Sequence, residues 1–246
     1  MIKEIEITNK DGLIYGLLYL PDNIKSRRYP LIILSHGLSL NHTFMKSYAE
    51  KIVNENIIVF IYDFRGGGYD SKSSGKISDM TIDSEKEDLK RVLNYLKNYN
   101  YVDSGRIYLA GHSQGALVSS LVAPDVEDFI QGLFLFAPAY VIPDDMYENP
   151  RREKNVLNLM PEHLGLKYIE CAKKINLYDD IENFNKIVYI FHGENDLRVP
   201  VKYAIEASKH YPNCELIVYP NQEHRFTEDT KDDVVSYIKK EVFSDG

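Results

Sequence analysis

Arg106-Ile107-Tyr108-Leu109-Ala110-Gly111-His112-Ser113-Gln114-Gly115-Ala116-Leu117-Val118-Ser119-Ser120-Leu121-Val122 reads as an apolar strand, an abrupt turn and a helix in direct succession. The turn is G-x-S-x-G. A serine at the apex of such a strand-to-helix corner is forced into a strained backbone conformation that exposes its hydroxyl. The glycines two residues to either side let strand and helix approach closely. The pentapeptide is only moderately specific alone, so its weight depends on whether the rest of the chain supplies partners for Ser113, and in what order.

On both sides of this stretch, short β-rich runs alternate with longer helical patterns. That alternation predicts an α/β protein with a mostly parallel central sheet covered by helices on both faces. Ile2–Thr8 and Gly12–Leu20 flank a turn-forming Asn9-Lys10-Asp11-Gly12 and are expected to open the chain as an antiparallel pair. Pro30–Ser35 and Ile57–Asp63 are continuous apolar runs, as expected of central strands. Between them, Phe44, Tyr48 and Ile52 at four-residue spacing predict a helix over His42–Asn56. Asp83–Tyr99 carries Leu89, Val92, Leu93 and Leu96 on one helical stripe. Gly132–Ala137, Lys186–Phe191 and Glu215–Tyr219 read as further strands. Thr230–Phe243 reads as a closing helix, its early Asp232 and Asp233 and late Lys239 and Lys240 matching the helix dipole.

Pro138–Asn185 breaks the alternation, being far longer than the roughly 2–6 residues that usually join strand to helix. The expected organisation is a core of residues 1–138 plus 186–246, with 139–185 inserted as a small cap over the carboxyl edge of the sheet, where open α/β sheets bind ligands. Tyr140, Met146, Tyr147, Leu159, Met160 and Tyr168 are its candidate substrate-contacting residues.

Bulk properties narrow the function classes. The chain has 246 residues, 44% hydrophobic content and a formal net charge of −8, without a basic block, which speaks against nucleic acid as a partner. No apolar run approaches the ~18 residues of a membrane span, and the alternating start Met1-Ile2-Lys3-Glu4-Ile5-Glu6-Ile7 is unlike a signal peptide, so a cytoplasmic location without membrane association is expected. Cys171 and Cys214 stand far apart and read as free thiols, and no cluster suggests a metal or other cofactor. The oligomeric state stays open, a homodimer among the options.

A serine hydroxyl needs a base to take its proton and a carboxylate to orient that base. In doubly wound hydrolases the order after the serine is acid, then histidine. The acid is sought just beyond the strand Lys186–Phe191, where Asp196 is the first candidate and Glu194 its rival. Of seven histidines, His224 falls between the last strand and the last helix, where the base belongs. Two backbone N–H groups should face the developing oxyanion. Gln114, after the nucleophile, supplies one, and Leu38, following Ser35-His36-Gly37, is expected to supply the other.

The chain resembles the α/β-hydrolase superfamily over essentially its full length, and within it the small bacterial feruloyl (cinnamoyl) esterases. The carrying residues are Ser35-His36-Gly37, Asp63-Phe64-Arg65-Gly66, Asp79-Met80-Thr81-Ile82 leading into Glu87-Asp88-Leu89, Gly111–Gly115, Phe136-Ala137-Pro138, His192-Gly193 with Asp196, and Glu223-His224. The resemblance implies Ser113, Asp196 and His224 as a triad, Leu38 and Gln114 as the oxyanion hole, and a small-molecule ester, aromatic or of short to medium acyl length, cleaved through an acyl-enzyme. An acylglycerol lipase, a thioesterase, a small peptidase and a non-catalytic binding module on the same scaffold are the alternatives. Ala139–Val156 is shorter than the matching cap segment of those esterases, Gly67 stands where a histidine is common, and Ala116 where glycine often follows. These departures bear on hydroxycinnamate preference and leave the triad intact.

Overall fold

Apolar runs that alternate side chains between two faces need a covering layer on each, and the computed structural model shows both layers. It describes residues 1–22, 24, 27–54, 56–147 and 164–244, with only the backbone of Tyr147. Strand β1 (Ile2–Asn9) pairs antiparallel with β2 (Gly12–Tyr19), from Ile2 opposite Tyr19 to Asn9 opposite Gly12. β2 lies antiparallel to β4 (Ile58–Tyr62). From there every neighbouring pair is parallel: β4 with β3 (Tyr29–Ser35), β3 with β5 (Val102–His112), β5 with β6 (Gly132–Phe136), β6 with β7 (Ile187–Gly193), and β7 with β8 (Cys214–Tyr219). Among the described residues the eight strands form one sheet in the order β1-β2-β4-β3-β5-β6-β7-β8.

β3, β4 and β6 are buried along their whole length, as their unbroken apolar sequences require. Within each, the two-residue period divides the side chains between two cores. Leu31, Ile33, Leu133 and Leu135 pack with α2 (Ile82–Leu96) and α3 (Gln114–Val122). Ile32, Leu34, Phe134 and Phe136 pack with α1 (Lys46–Val53) and α8 (Glu228–Ser244).

Local hydrogen bonds shift several boundaries from those expected. Thr81 and Ser84 form a reciprocal capping box, each side chain accepting from the other's amide, so α2 starts at Ile82. The helix expected over His42–Asn56 opens instead as a 3₁₀ turn, His42–Met45, before α1. There the Asn41 side chain caps the Thr43 amide, while Asp63 Oδ1 accepts from both the His42 amide (2.6 Å) and its ring Nδ1 (2.8 Å). β5 begins five residues before Ile107, where Tyr29 of β3 pairs with Val102 ahead of a register shift.

The described part of the long insertion holds α4 (Ile142–Tyr147), α5 (Leu166–Ala172) and α6 (Leu177–Ile181). Leu164, Tyr168, Ala172, Leu177 and Ile181 enter the core shared with α2 and α3. Leu159 and Met160 lie outside the described residues. α7 (Lys202–His210) joins β7 to β8. Both cysteines are free thiols. Among the described residues no helix is long and apolar enough to cross a membrane.

Candidate active site

β5 ends at His112 and α3 begins at Gln114, leaving Ser113 alone at the corner with φ 56° and ψ −119°. Holding a non-glycine residue there costs about 1–3 kcal/mol, which the surroundings must offset. The Ser113 amide donates to Phe136 O (2.9 Å), and its carbonyl accepts from the Ala116, Leu117 and Ala139 amides at 3.0–3.1 Å. The flanking glycines are required by space. A Cβ on Gly115 would lie 2.4 Å from the carbonyl oxygens of Ser35 and His36, and one on Gly111 would lie 2.4 Å from the Gly115 carbonyl carbon.

The loops after β7 and β8 bring the expected acid and base to this corner. Ser113 Oγ lies 3.0 Å from His224 Nε2, and His224 Nδ1 lies 2.7 Å from Asp196 Oδ2. With Nδ1 protonated, Nε2 is an acceptor aimed at the serine hydroxyl. The other carboxylate oxygen, Oδ1, accepts from the Arg198 (2.8 Å) and Val199 (2.9 Å) amides. His192 Nε2 donates to Val199 O (2.8 Å) and stands 3.4 Å from Asp196 Oδ2. Burial acts to raise the Asp196 pKa, but hydrogen bonds from His192, His224 and the Val199 amide outweigh it and hold the carboxylate below its ordinary range. The rival acid, Glu194, is exposed and outside this network.

His112, beside the serine in sequence, has a role that sequence reasoning missed. Its Nε2 donates to the His224 carbonyl (2.9 Å), tying the base-bearing loop to the end of β5. Burial, with the neighbouring His224 adding to it, pushes the His112 pKa down to about 3, so the ring is neutral at physiological pH. His36 does a similar job on the other side. Its Nδ1 donates to Gly37 O (2.8 Å) and its Nε2 accepts from the Phe64 amide (3.1 Å), pinning the Gly37 loop to the turn after β4. That loop passes so near the serine that a Cβ on Gly37 would lie 3.1 Å from Ser113 Cβ. Among the described residues, the backbone amides of Leu38 and Gln114 have no hydrogen-bond acceptor. Two free donors beside a nucleophile can receive a developing negative charge.

The Gln114 side chain turns away from the site into a buried network. Its Nε2 donates to Glu85 Oε2 (2.8 Å), and its Oε1 accepts from the Tyr168 hydroxyl (2.5 Å). Burial, reinforced by the nearby Asp88 charge and opposed by the Gln114 hydrogen bond, pushes the Glu85 carboxyl well above its ordinary 4.5. The folded chain therefore keeps a proton that the unfolded chain releases, and Glu85's contribution to stability, complete below about pH 4.5, declines as pH rises towards the folded pKa. Glu85→Gln retains an acceptor for Gln114 and has no proton to lose. Urea midpoints measured between about pH 5 and 9 should fall less steeply in this variant than in the parent.

Ser113 and His224 open into a cavity of about 60 Å³ walled by Leu38, Leu40, Ala139 and Ile142, with Arg198 and Arg225 also lining it. A larger depression of about 470 Å³, between Met1, Tyr19, Glu50 and Asn54, has neither serine nor histidine among its described lining residues. Of the cap candidates, the side chains of Tyr147, Leu159 and Met160 lie outside the described residues, and Tyr140, Met146 and Tyr168 are absent from the described lining of this cavity. Tyr140 turns into the core, its hydroxyl 2.8 Å from Ser120 Oγ and 3.2 Å from the Tyr211 hydroxyl. Tyr168 is spent on Gln114, and Met146 is buried in the core shared with α2 and α3. The left-handed backbone at Ala137 (φ 45°) and the Ala139–Ser113 hydrogen bond turn the chain so that Ala139 and Ile142 face the cavity in their place. Arg198 and Arg225 were also missed, although each sits within two residues of an expected site residue.

Residues 27–169 match the family model described as serine aminopeptidase, S33. The chain is 30% identical over 253 residues to a monoglyceride lipase homolog of Monkeypox virus, covering 87% of this chain and 88% of that one. It is 27% identical over 216 residues to dipeptidyl peptidase 4 of Sus scrofa, covering 84% of this chain and 27% of that one, so it spans about a quarter of that relative. Among solved structures, Est1E from Butyrivibrio proteoclasticus with ferulic acid bound superposes with a TM-score of 0.84 at 26% identity, over 98% of this chain and 99% of that one. Because the family model spans more than half of the chain, the protein belongs to the serine aminopeptidase (S33) family of α/β-hydrolases and is a serine hydrolase similar to feruloyl esterases.

Proposed function

We propose that the protein is a carboxylic-ester hydrolase acting through an acyl-enzyme on Ser113. The observation that carries this reading is the hydrogen-bonded chain Ser113–His224–Asp196 beside the free Leu38 and Gln114 amides. His224 Nε2 takes the serine proton as Oγ attacks the ester carbonyl, and the two amides receive the oxyanion. Asp196, held ionised, steadies the imidazolium. That imidazolium protonates the departing alkoxide, and water repeats the cycle on the acyl-enzyme.

The pocket's charge favours an ester over a peptide with a free amino terminus. A substrate ammonium calls for a carboxylate partner, yet the nearby Asp196 is committed to His224, and among the described residues the cavity is lined by Arg198 and Arg225 and by no carboxylate. The small apolar cavity suits a short acyl group. In a series of 4-nitrophenyl esters, kcat/KM should rise by up to about fourfold per CH₂ from acetyl to butyryl, the equivalent of ~0.8 kcal/mol, and then level off. Methyl ferulate and methyl cinnamate should be turned over with little discrimination, because the described pocket offers a phenol no dedicated partner. Aminoacyl 4-nitroanilides cleaved faster than all of these esters would overturn the reading in favour of a peptidase.

A further inference from the structure

Building on the esterase reading, we infer that Arg198 and Arg225 form a subsite for an anionic group carried on the alcohol half of the substrate. Both line the cavity that exposes Ser113 and His224. Among the described residues, neither guanidinium has a carboxylate within ion-pair distance. Among the described residues, three arginines away from the site are ion-paired, Arg65 with Asp88 at 2.6 Å, Arg91 with Asp11 at 3.3 Å, and Arg106 with Asp103 at 2.8 Å, whereas Arg27 stacks on Tyr29 without a carboxylate partner. Arg198 contributes only its backbone amide to Asp196, which leaves its side chain unassigned. Arg225 lies 5.2 Å over the Phe44 ring, a contact that steadies its position without cancelling its charge. Its charge is also felt at His112, whose protonation it opposes.

Among the described residues, no other charge lining the cavity balances this pair. Asp196 is committed to His224, and His112 is buried and neutral. The chain as a whole carries −8, so an anionic substrate would be repelled at long range unless the site itself were locally positive. A cleft lined by one sign of charge raises the local concentration of its counter-ion, and guanidinium groups match carboxylate and phosphate oxygens.

The alcohol half is assigned from the chemistry. His224 must protonate the departing alkoxide, so the leaving group lies on the histidine side of Ser113. Arg225 directly follows His224, and Arg198 lies on the loop that carries Asp196. The oxyanion and acyl portions belong with Leu38, Leu40, Ala139 and Ile142 on the remaining walls.

The test compares acetate esters that differ only in the charge of the alcohol: 3-acetoxybenzoate and 3-acetoxyphenyl phosphate against neutral 3-acetoxybenzamide. The kcat/KM ratio of anionic to neutral ester should be about tenfold or more in the parent enzyme at low salt and shrink as salt is raised. Arg198→Gln and Arg225→Gln should each lower it, and the double variant should bring it to about one. Preference for the carboxylate over the phosphate, or the reverse, identifies which anion the subsite takes. Equal turnover of charged and neutral esters, or a ratio unchanged in the double variant, overturns this inference and leaves the esterase reading standing. A preference confined to 4-nitrophenyl hemisuccinate over 4-nitrophenyl butyrate overturns the assignment to the alcohol half. Failure to hydrolyse any of these esters overturns the esterase reading and this inference with it.

Discussion

Ser113→Ala should reduce ester turnover by about 10⁴-fold or more in kcat while the protein folds as before. The variant removes one oxygen. The left-handed backbone is held by the Phe136, Ala116, Leu117 and Ala139 hydrogen bonds, all made by main-chain atoms that alanine retains. A Cβ is already accommodated at this corner, so no new contact is forced. Urea unfolding and far-UV circular dichroism should therefore match the parent. Three losses should coincide: steady-state hydrolysis, the initial burst of nitrophenolate from a 4-nitrophenyl ester, and the acyl mass increment on the protein. A burst that survives in Ser113→Ala would place the nucleophile elsewhere.

The sheet was legible because its strands are governed by burial alone. A run such as Leu31-Ile32-Ile33-Leu34, apolar on both sides of the pleat, is stable only between two covering layers, and those layers are there. Ser113, Asp196 and His224 were legible for a related reason: each lies at the carboxyl end of a strand, and the strands themselves were readable. Hydrophobicity says that a side chain is buried but not towards what. Tyr140 and Ile142 are two residues apart, similarly apolar and similarly buried, yet one faces the core and the other the cavity. The deciding event is the left-handed turn at Ala137, which its side chain does not announce. The broken start of the helix after Asn41 was hidden because its cause, the Asp63 carboxylate, arrives from a distant strand end. The pocket arginines were hidden for the opposite reason. An exposed arginine in a loop looks ordinary until the missing carboxylate partner can be seen.

Asp196→Asn should cost on the order of 10⁴-fold in kcat, as replacement of the triad carboxylate does in serine proteases, and the loop geometry shows why. The Arg198 and Val199 amides both donate to Oδ1, so an asparagine would keep its carbonyl oxygen there and place its NH₂ at the Oδ2 position. That NH₂ would then meet His224 Nδ1 at about the present 2.7 Å, donor against donor. The imidazole resolves the conflict by moving its proton to Nε2, so that Nδ1 accepts from the asparagine. An N–H, rather than a lone pair, then faces Ser113 Oγ, and the base is lost with every heavy atom in place. The substitution also removes a charge whose folded pKa is depressed. The stability that charge contributes is present above the ordinary carboxylate pKa of about 3.9 and disappears as pH falls through the lower folded value. The parent should therefore lose more stability on acidification to about pH 2 than Asp196→Asn does. Glu194→Gln, altering an exposed side chain outside the network, should change kcat by less than about threefold. A crippled Glu194→Gln enzyme beside an active Asp196→Asn one would exchange the two roles.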